Sequence, residues 1–297
     1  MQSKGLDGCD GILGLSPRDY GDRSLLPGLK RGGMIDRLLV SFSNAFHASS
    51  FKAQFHDDRE SYMVFGGVNE TQIVGGADGL YSMALASREL NPTTYWGVEG
   101  QGFLYGDKFL FDPAVDEPIL SIIDSGTTLV LLPYKAYDGL MMGIAKKVKD
   151  DATVSFVCAR DEKTLELGAC YFNNTRCEDI TGKLEPMRFI FGGVVYEIKI
   201  QAFLKDVSSD GALTGPPPAP KPGVAYTGGC MFELRPAKDK NEPAGSHEHR
   251  FLMGNTFLKN FVSVYDYDQQ QVKLGVSVHS ESLAKAYPYK KGMFERR

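Results

Sequence analysis

The segment of the chain best equipped for chemistry is Ile119-Leu120-Ser121-Ile122-Ile123-Asp124-Ser125-Gly126-Thr127-Thr128-Leu129-Val130-Leu131-Leu132-Pro133. One apolar run enters Asp124-Ser125-Gly126-Thr127-Thr128 and another leaves it. A carboxylate between apolar runs is costly unless it is hydrogen-bonded or paired. Here Ser125 and Thr127 supply hydroxyls, and Gly126 lets the backbone turn sharply. Hydroxyls and backbone N–H groups donating to a carboxylate stabilise its charge, and a held carboxylate can act as general base or acid. The same five residues also fit an Asx or Ser/Thr turn between two strands.

The elements that would position this loop are short and β-like. Runs at Leu38–Phe42, Tyr62–Phe65, Leu80–Leu85, Ile119–Ile123, Phe189–Phe191, Val194–Ile200, Phe251–Met253, Val262–Tyr265 and Val272–Val276 are separated by Gly, Pro, Asn and Asp. Their lengths and punctuation predict an all-β fold, a sandwich or barrel with few short helices. Gly66-Gly67 and Gly192-Gly193 each follow a strand and read as turns. From Pro133 to Val148 the apolar positions Tyr137, Leu140, Met141, Ile144, Ala145 and Val148 recur at helical spacing. A shorter helix is expected over Leu29–Leu38. Gly215 to Pro222 reads as a stiff polyproline-II-like surface loop, and Lys285 to Arg297 as a solvated basic tail.

Bulk properties narrow the function classes. The 297 residues are 42% hydrophobic and 24% charged, enough for a sizeable core. Thirty-three basic against 37 acidic residues give a net charge of −4, and no long basic stripe neutralises phosphates, so nucleic-acid partners are not expected. No apolar run approaches the ~20 residues of a spanning helix, and no membrane partner is expected. Met1 to Gly5 lacks the apolar core of a signal peptide. The cysteines are Cys9, Cys158, Cys170, Cys177 and Cys230, with sequons at Asn69-Glu70-Thr71 and Asn173-Asn174-Thr175. Together these favour an oxidising compartment, with Asn69 and Asn173 as glycosylation candidates. That compartment without a leader leads to the expectation that the start of the protein is missing.

Asp124-Ser125-Gly126-Thr127-Thr128 resembles the second active-site loop of pepsin-like aspartic proteases. Other segments are similar in the family's order. Asp10-Gly11-Ile12-Leu13-Gly14-Leu15 resembles the close of its N-terminal lobe. Leu39–Ser43 and Tyr62–Val68 resemble the strands that follow, and Tyr95-Trp96-Gly97-Val98 the Tyr-Trp strand. Leu252-Met253-Gly254-Asn255-Thr256-Phe257-Leu258 resembles the strand crossing beneath the catalytic loop. Lys259–Asp266 and Val272–Val276 complete the pattern, which covers roughly residues 8 to 278. The resemblance implies orthogonally packed β-sheets, with residues 1–72 as trailing strands of the N-terminal lobe and interdomain sheet, 73–280 as the C-terminal lobe and 281–297 as a tail. It implies Asp124 as a catalytic residue supported by Ser125, Gly126, Thr127 and Thr128. It also implies a Cys177–Cys230 disulfide, which would stabilise by roughly 4 kcal/mol in the chain-entropy model. Cys158 and Cys170 flank a polar segment and could form another bridge, leaving Cys9 without a partner in the chain.

The family activates water between two Asp residues, and Asp-Thr/Ser-Gly occurs here once. The first loop and the flap lie upstream of the segment matched by Asp10, and nine residues precede Asp10. Two close carboxylates share a proton because both cannot ionise. A lone Asp124 cannot be base and acid at once, so the chain by itself is expected not to hydrolyse peptides. The leading expectation is an aspartic endopeptidase whose first lobe lies in a missing part or a separate chain, acting on extended peptide or protein substrates. A non-catalytic binding or structural module and a homodimeric single-lobe protease are the alternatives. No cofactor or metal is expected, and the compartment would be lysosomal, vacuolar or extracellular. His247-Glu248-His249 has metal-ligand residue types but lacks a third ligand, and Trp96 and Tyr95 read as core residues more than substrate contacts.

Overall fold

In the computed structural model the described residues are 11–17, 24–44, 61–91, 95–112, 114–160, 167–207, 229–237 and 250–294. Cys9, Asp10, the proline-rich loop and His247-Glu248-His249 lie outside them. Among the described residues the strands are β1 (Leu39–Ser43), β2 (Tyr62–Phe65), β3 (Leu80–Ala84), β4 (Gly97–Tyr105), β5 (Lys108–Phe111), β6 (Ile119–Ile123), β7 (Val130–Leu132), β8 (Ser155–Arg160) and β9 (Leu167–Asn173). They continue as β10 (Met187–Phe191), β11 (Val194–Ile198), β12 (Leu204–Val207), β13 (Gly229–Phe232), β14 (Leu234–Pro236), β15 (Arg250–Met253), β16 (Phe261–Asp266), β17 (Gln271–Val276) and β18 (Ala284–Pro288). The helices are α1 (Leu25–Arg31), α2 (Tyr134–Val148), α3 (Cys177–Thr181) and α4 (Asn255–Leu258). The fold is all-β with few short helices.

Three sheets result. A five-stranded antiparallel sheet runs β2-β1-β16-β17-β3. A nine-stranded sheet runs β14-β7-β15-β6-β4-β10-β11-β18, with β5 paired to β4. A four-stranded sheet runs β12-β13-β9-β8. The five-stranded sheet joins β1 and β2 to β3, β16 and β17, so it crosses the expected domain boundary at residue 72. Hairpin β10–β11 turns at Gly192 (φ +54°) and Gly193 (φ +74°). Two successive positive φ values make the type I′ turn whose twist suits a two-residue hairpin, and only glycine adopts it freely.

A continuous aromatic core ties the sheets to the loop region. Phe103 stacks on Phe189 at 4.9 Å, Phe189 meets Phe257 of α4 edge-on at 5.5 Å, and Phe257 meets Phe261 at 4.8 Å. Helix α2 buries Ala136, Tyr137, Leu140, Met141, Ile144 and Val148, whereas Ala145 faces solvent. The Tyr137 hydroxyl donates to the Gly168 carbonyl at 2.5 Å, pinning α2 to β9.

Two expectations need correction. The helix near residue 30 spans Leu25–Arg31, not Leu29–Leu38. Pro27 is tolerated in its first turn, and Gly32-Gly33 closes it, with Gly33 at φ +66°. The basic end is not a free tail, because Ala284–Pro288 pairs along all of β11. Beyond it Phe294 is buried against Leu104, Ile190 and Val195, with the Arg188 guanidinium 5.2 Å above its ring. Lysines outweigh the short apolar alternation there, so the stretch reads as solvated until its partner strand is known. Cys158–Cys170 and Cys177–Cys230 are disulfides, the second being the pair implied by resemblance.

Candidate active site

Asp124 sits where β6 ends. The Ile123 amide donates to the Trp96 carbonyl at 2.9 Å and the Asp124 amide to the Met253 carbonyl at 3.1 Å, so neighbouring strands hold the backbone on both sides. The carboxylate is half-buried and both oxygens are engaged. Gly126 N–H donates to Oδ1 at 2.9 Å and the Thr127 hydroxyl to Oδ2 at 2.6 Å. Of the residues expected to support it, Gly126 and Thr127 touch the carboxylate. Ser125 and Thr128 are exposed and contribute their carbonyls.

The loop is held from outside by a segment crossing between its legs. β15 lies between β6, to which it is parallel, and β7, to which it is antiparallel. At its end Gly254 passes so close that a Cβ would lie 2.3 Å from the Leu129 carbonyl oxygen and 2.5 Å from that of Thr127. The next two residues then donate to three loop carbonyls. Asn255 N–H reaches Thr127 O at 2.7 Å and its side-chain amide reaches Ser125 O at 3.0 Å. Thr256 N–H and Oγ1 both reach Thr128 O, at 2.9 and 3.0 Å. The loop therefore has its carboxylate gripped from within and its carbonyls gripped from without, which leaves little freedom for the Asp124 side chain.

Behind the loop lies a cluster of rings. Trp96 packs edge-on against Tyr265 at 5.3 Å and Tyr267 at 4.8 Å. Burial pushes the Tyr265 phenol up, and the negative charge of Asp124 reinforces the shift. Trp96 Nε1 and the Tyr267 hydroxyl both donate to the Leu15 carbonyl, at 2.6 and 2.7 Å, so residues 11–17 are anchored beside the site. Trp96 is core as expected, and Tyr95 is exposed. Asn69 uses its side-chain nitrogen on the Tyr62 hydroxyl, and Asn173 ends β9 half-buried.

This arrangement, a carboxylate held by an amide and a hydroxyl with a strand threaded beneath, can be compared with known proteins. A model of the family described as "Eukaryotic aspartyl protease" matches residues 2–277. The chain belongs to the eukaryotic aspartyl protease family. Among curated relatives it is 23% identical over 267 residues to Plasmepsin I from each of two isolates of Plasmodium falciparum, which is 89% of this chain and 44% of those proteins. The chain thus spans less than half the length of these relatives. Among solved structures the aspartic proteinase from Irpex lacteus is similar in fold, with a TM-score of 0.63 and 20% identity, over 94% of this chain and 71% of that one.

In this aspartyl protease family chain, the resemblance placed Asn255 and Thr256 beneath the loop, but their roles as donors to it were not visible from sequence. They follow Gly254 as ordinary polar residues opening a four-residue helix, and nothing in their spacing marks them as donors to a loop more than 120 positions earlier.

Proposed function

We propose that the chain is the Asp124-bearing part of an aspartic endopeptidase, active when a second carboxylate faces Asp124. The observation that carries this reading is the two-sided grip on Asp124, which fixes a carboxylate at a position still open to solvent. With a second carboxylate nearby the pair would share one proton, the ionised member taking a proton from water and the other supplying one to the substrate. Asp-Thr/Ser-Gly occurs once in the chain, so the second carboxylate would come from a lobe beyond these residues. Ile12 and Leu13, 77% and 52% exposed beside the anchored Leu15, support that site of attachment. Substrates would be extended peptides with bulky apolar side chains flanking the cleaved bond. The two disulfides support an oxidising compartment, lysosomal, vacuolar or extracellular, where Asn69 and Asn173 would be candidate glycosylation sites. No helix among the described residues is long and apolar enough to cross a membrane.

The test is a peptide-cleavage assay across pH 3 to 7 on the chain alone and joined to the first lobe of a family member. Pepstatin-sensitive cleavage at acid pH in the joined protein supports the reading. Activity of the chain alone that rises with the square of its concentration points to a homodimer instead. A folded joined protein that stays inert throughout overturns the proposal in favour of a non-catalytic module.

A further inference from the structure

The hydroxyl of Thr256 has one proton and two acceptors in reach, the Thr128 carbonyl at 3.0 Å and Glu233 Oε2 at 3.3 Å. It can donate to only one of them at a time. Glu233 stands between β13 and β14, and its own carbonyl accepts from Val130 at the start of β7, so it is fixed relative to the loop's outgoing leg. Its Oε2 is 3.5 Å from the ammonium of Lys259, whose side chain is 9% exposed. Burial holds Lys259 below the ordinary lysine range, with the Glu233 charge opposing. Lys205 adds a positive charge facing Lys259, and Arg235 senses Glu233. A bare carboxylate outcompetes a carbonyl for a hydroxyl proton, and one engaged by a cation does so less.

We propose that Glu233 and Lys259 are positioning residues for the Asp124 loop: Lys259 occupies the Glu233 charge, which leaves the Thr256 proton on the Thr128 carbonyl. That bond fixes the residue next to Thr127, whose hydroxyl grips Asp124. The consequence for catalysis rests on the function proposed above; the consequence for the loop does not.

The experiment uses the full chain, isotope-labelled, and reads the Thr128 carbonyl-carbon shift, which reports how many donors its oxygen accepts, and the Thr256 amide exchange rate. Lys259→Met is expected to move the shift toward that of a singly bonded carbonyl. Thr256 exchange should rise about 3- to 10-fold, the loss of one net hydrogen bond, with Val264 and Leu274 in the β16–β17 ladder unchanged. Glu233→Gln added to Lys259→Met is expected to restore both signals, because the new amide can donate to the Thr256 oxygen. Should Lys259→Met not fold, Thr256→Val must reproduce the shift change while Thr256→Ser and Glu233→Gln keep the native signal. In the joined enzyme Lys259→Met should lower kcat by a similar factor with KM held. A folded Lys259→Met, or a Thr256→Val, with an unaltered Thr128 signal overturns the inference. Altered loop signals in a joined protein that never cleaves leave the positioning role standing and remove the catalytic reading.

Discussion

The Thr127 hydroxyl donates to Asp124 Oδ2 at 2.6 Å, while the carbonyl of the same Thr127 accepts from Asn255 at 2.7 Å. One residue thus couples the carboxylate to the strand threaded beneath it. Thr127→Val removes a bond to a charged group, worth about 1.5–3 kcal/mol, while preserving shape. In the joined enzyme this should lower kcat by roughly 10- to 100-fold, and Thr127→Ser should retain most of the rate. Steady-state kinetics of the two variants decide the point.

Gly254 tests the threading itself. A methyl group placed 2.3 Å from Leu129 O and 2.5 Å from Thr127 O has no flexible side chain to push aside, because both neighbours are backbone. Gly254→Ala should cost about 3 kcal/mol or more, read as a lower urea midpoint. Gly182→Ala, with open space around its position, is the control and should leave the midpoint nearly unchanged.

How much of this was legible beforehand depends on which physical signal each feature carried. Short, nearly continuous apolar runs that stop at a turn residue, such as Tyr62–Phe65 before Gly66 and Ile119–Ile123 before Asp124, could be placed within a residue. Strand β8, Ser155–Arg160, could not, because it is largely half-exposed and is held by pairing with β9 and a disulfide more than by its pattern. Asp124, Gly126 and Thr127 were legible because a charge among apolar runs demands local donors. Asn255, Thr256, Glu233 and Lys259 were not, since their partners are set by tertiary approach and leave no periodic trace.

The disulfides should differ in weight. Cys177–Cys230 closes a separation of 53 residues and Cys158–Cys170 one of 12. In the chain-entropy model removal costs about 4 and about 3 kcal/mol respectively. Paired Cys→Ala variants measured by urea unfolding should therefore show the longer link costing more by about 1 kcal/mol.

Acid should loosen the C-terminal strand. Burial acts to raise the Glu197 carboxyl, but the hydrogen bond and charge of Arg188, with the Tyr287 hydroxyl, hold it below the usual glutamate range. A carboxyl lowered on folding contributes stability above its unfolded pKa, and that contribution fades as pH falls through the folded one. The Arg188–Glu197 pair joins β10 to β11, and Tyr287 brings in β18. Melting temperature followed from pH 6 down to pH 2 should fall less steeply in Glu197→Gln than in the parent. Parallel curves would show that this carboxyl contributes nothing to the acid limb.

Asp124→Asn is the most direct test of the whole account, because it keeps the side chain's shape and acceptor oxygen while removing its ability to ionise. The measurement is the initial rate of peptide cleavage at acid pH by the joined protein, parent against variant, with unfolding midpoints compared alongside. A loss of about 10³-fold or more with a similar unfolding midpoint is the expected result. A folded variant that cleaves at the parent rate would show that Asp124 is not the reacting carboxylate.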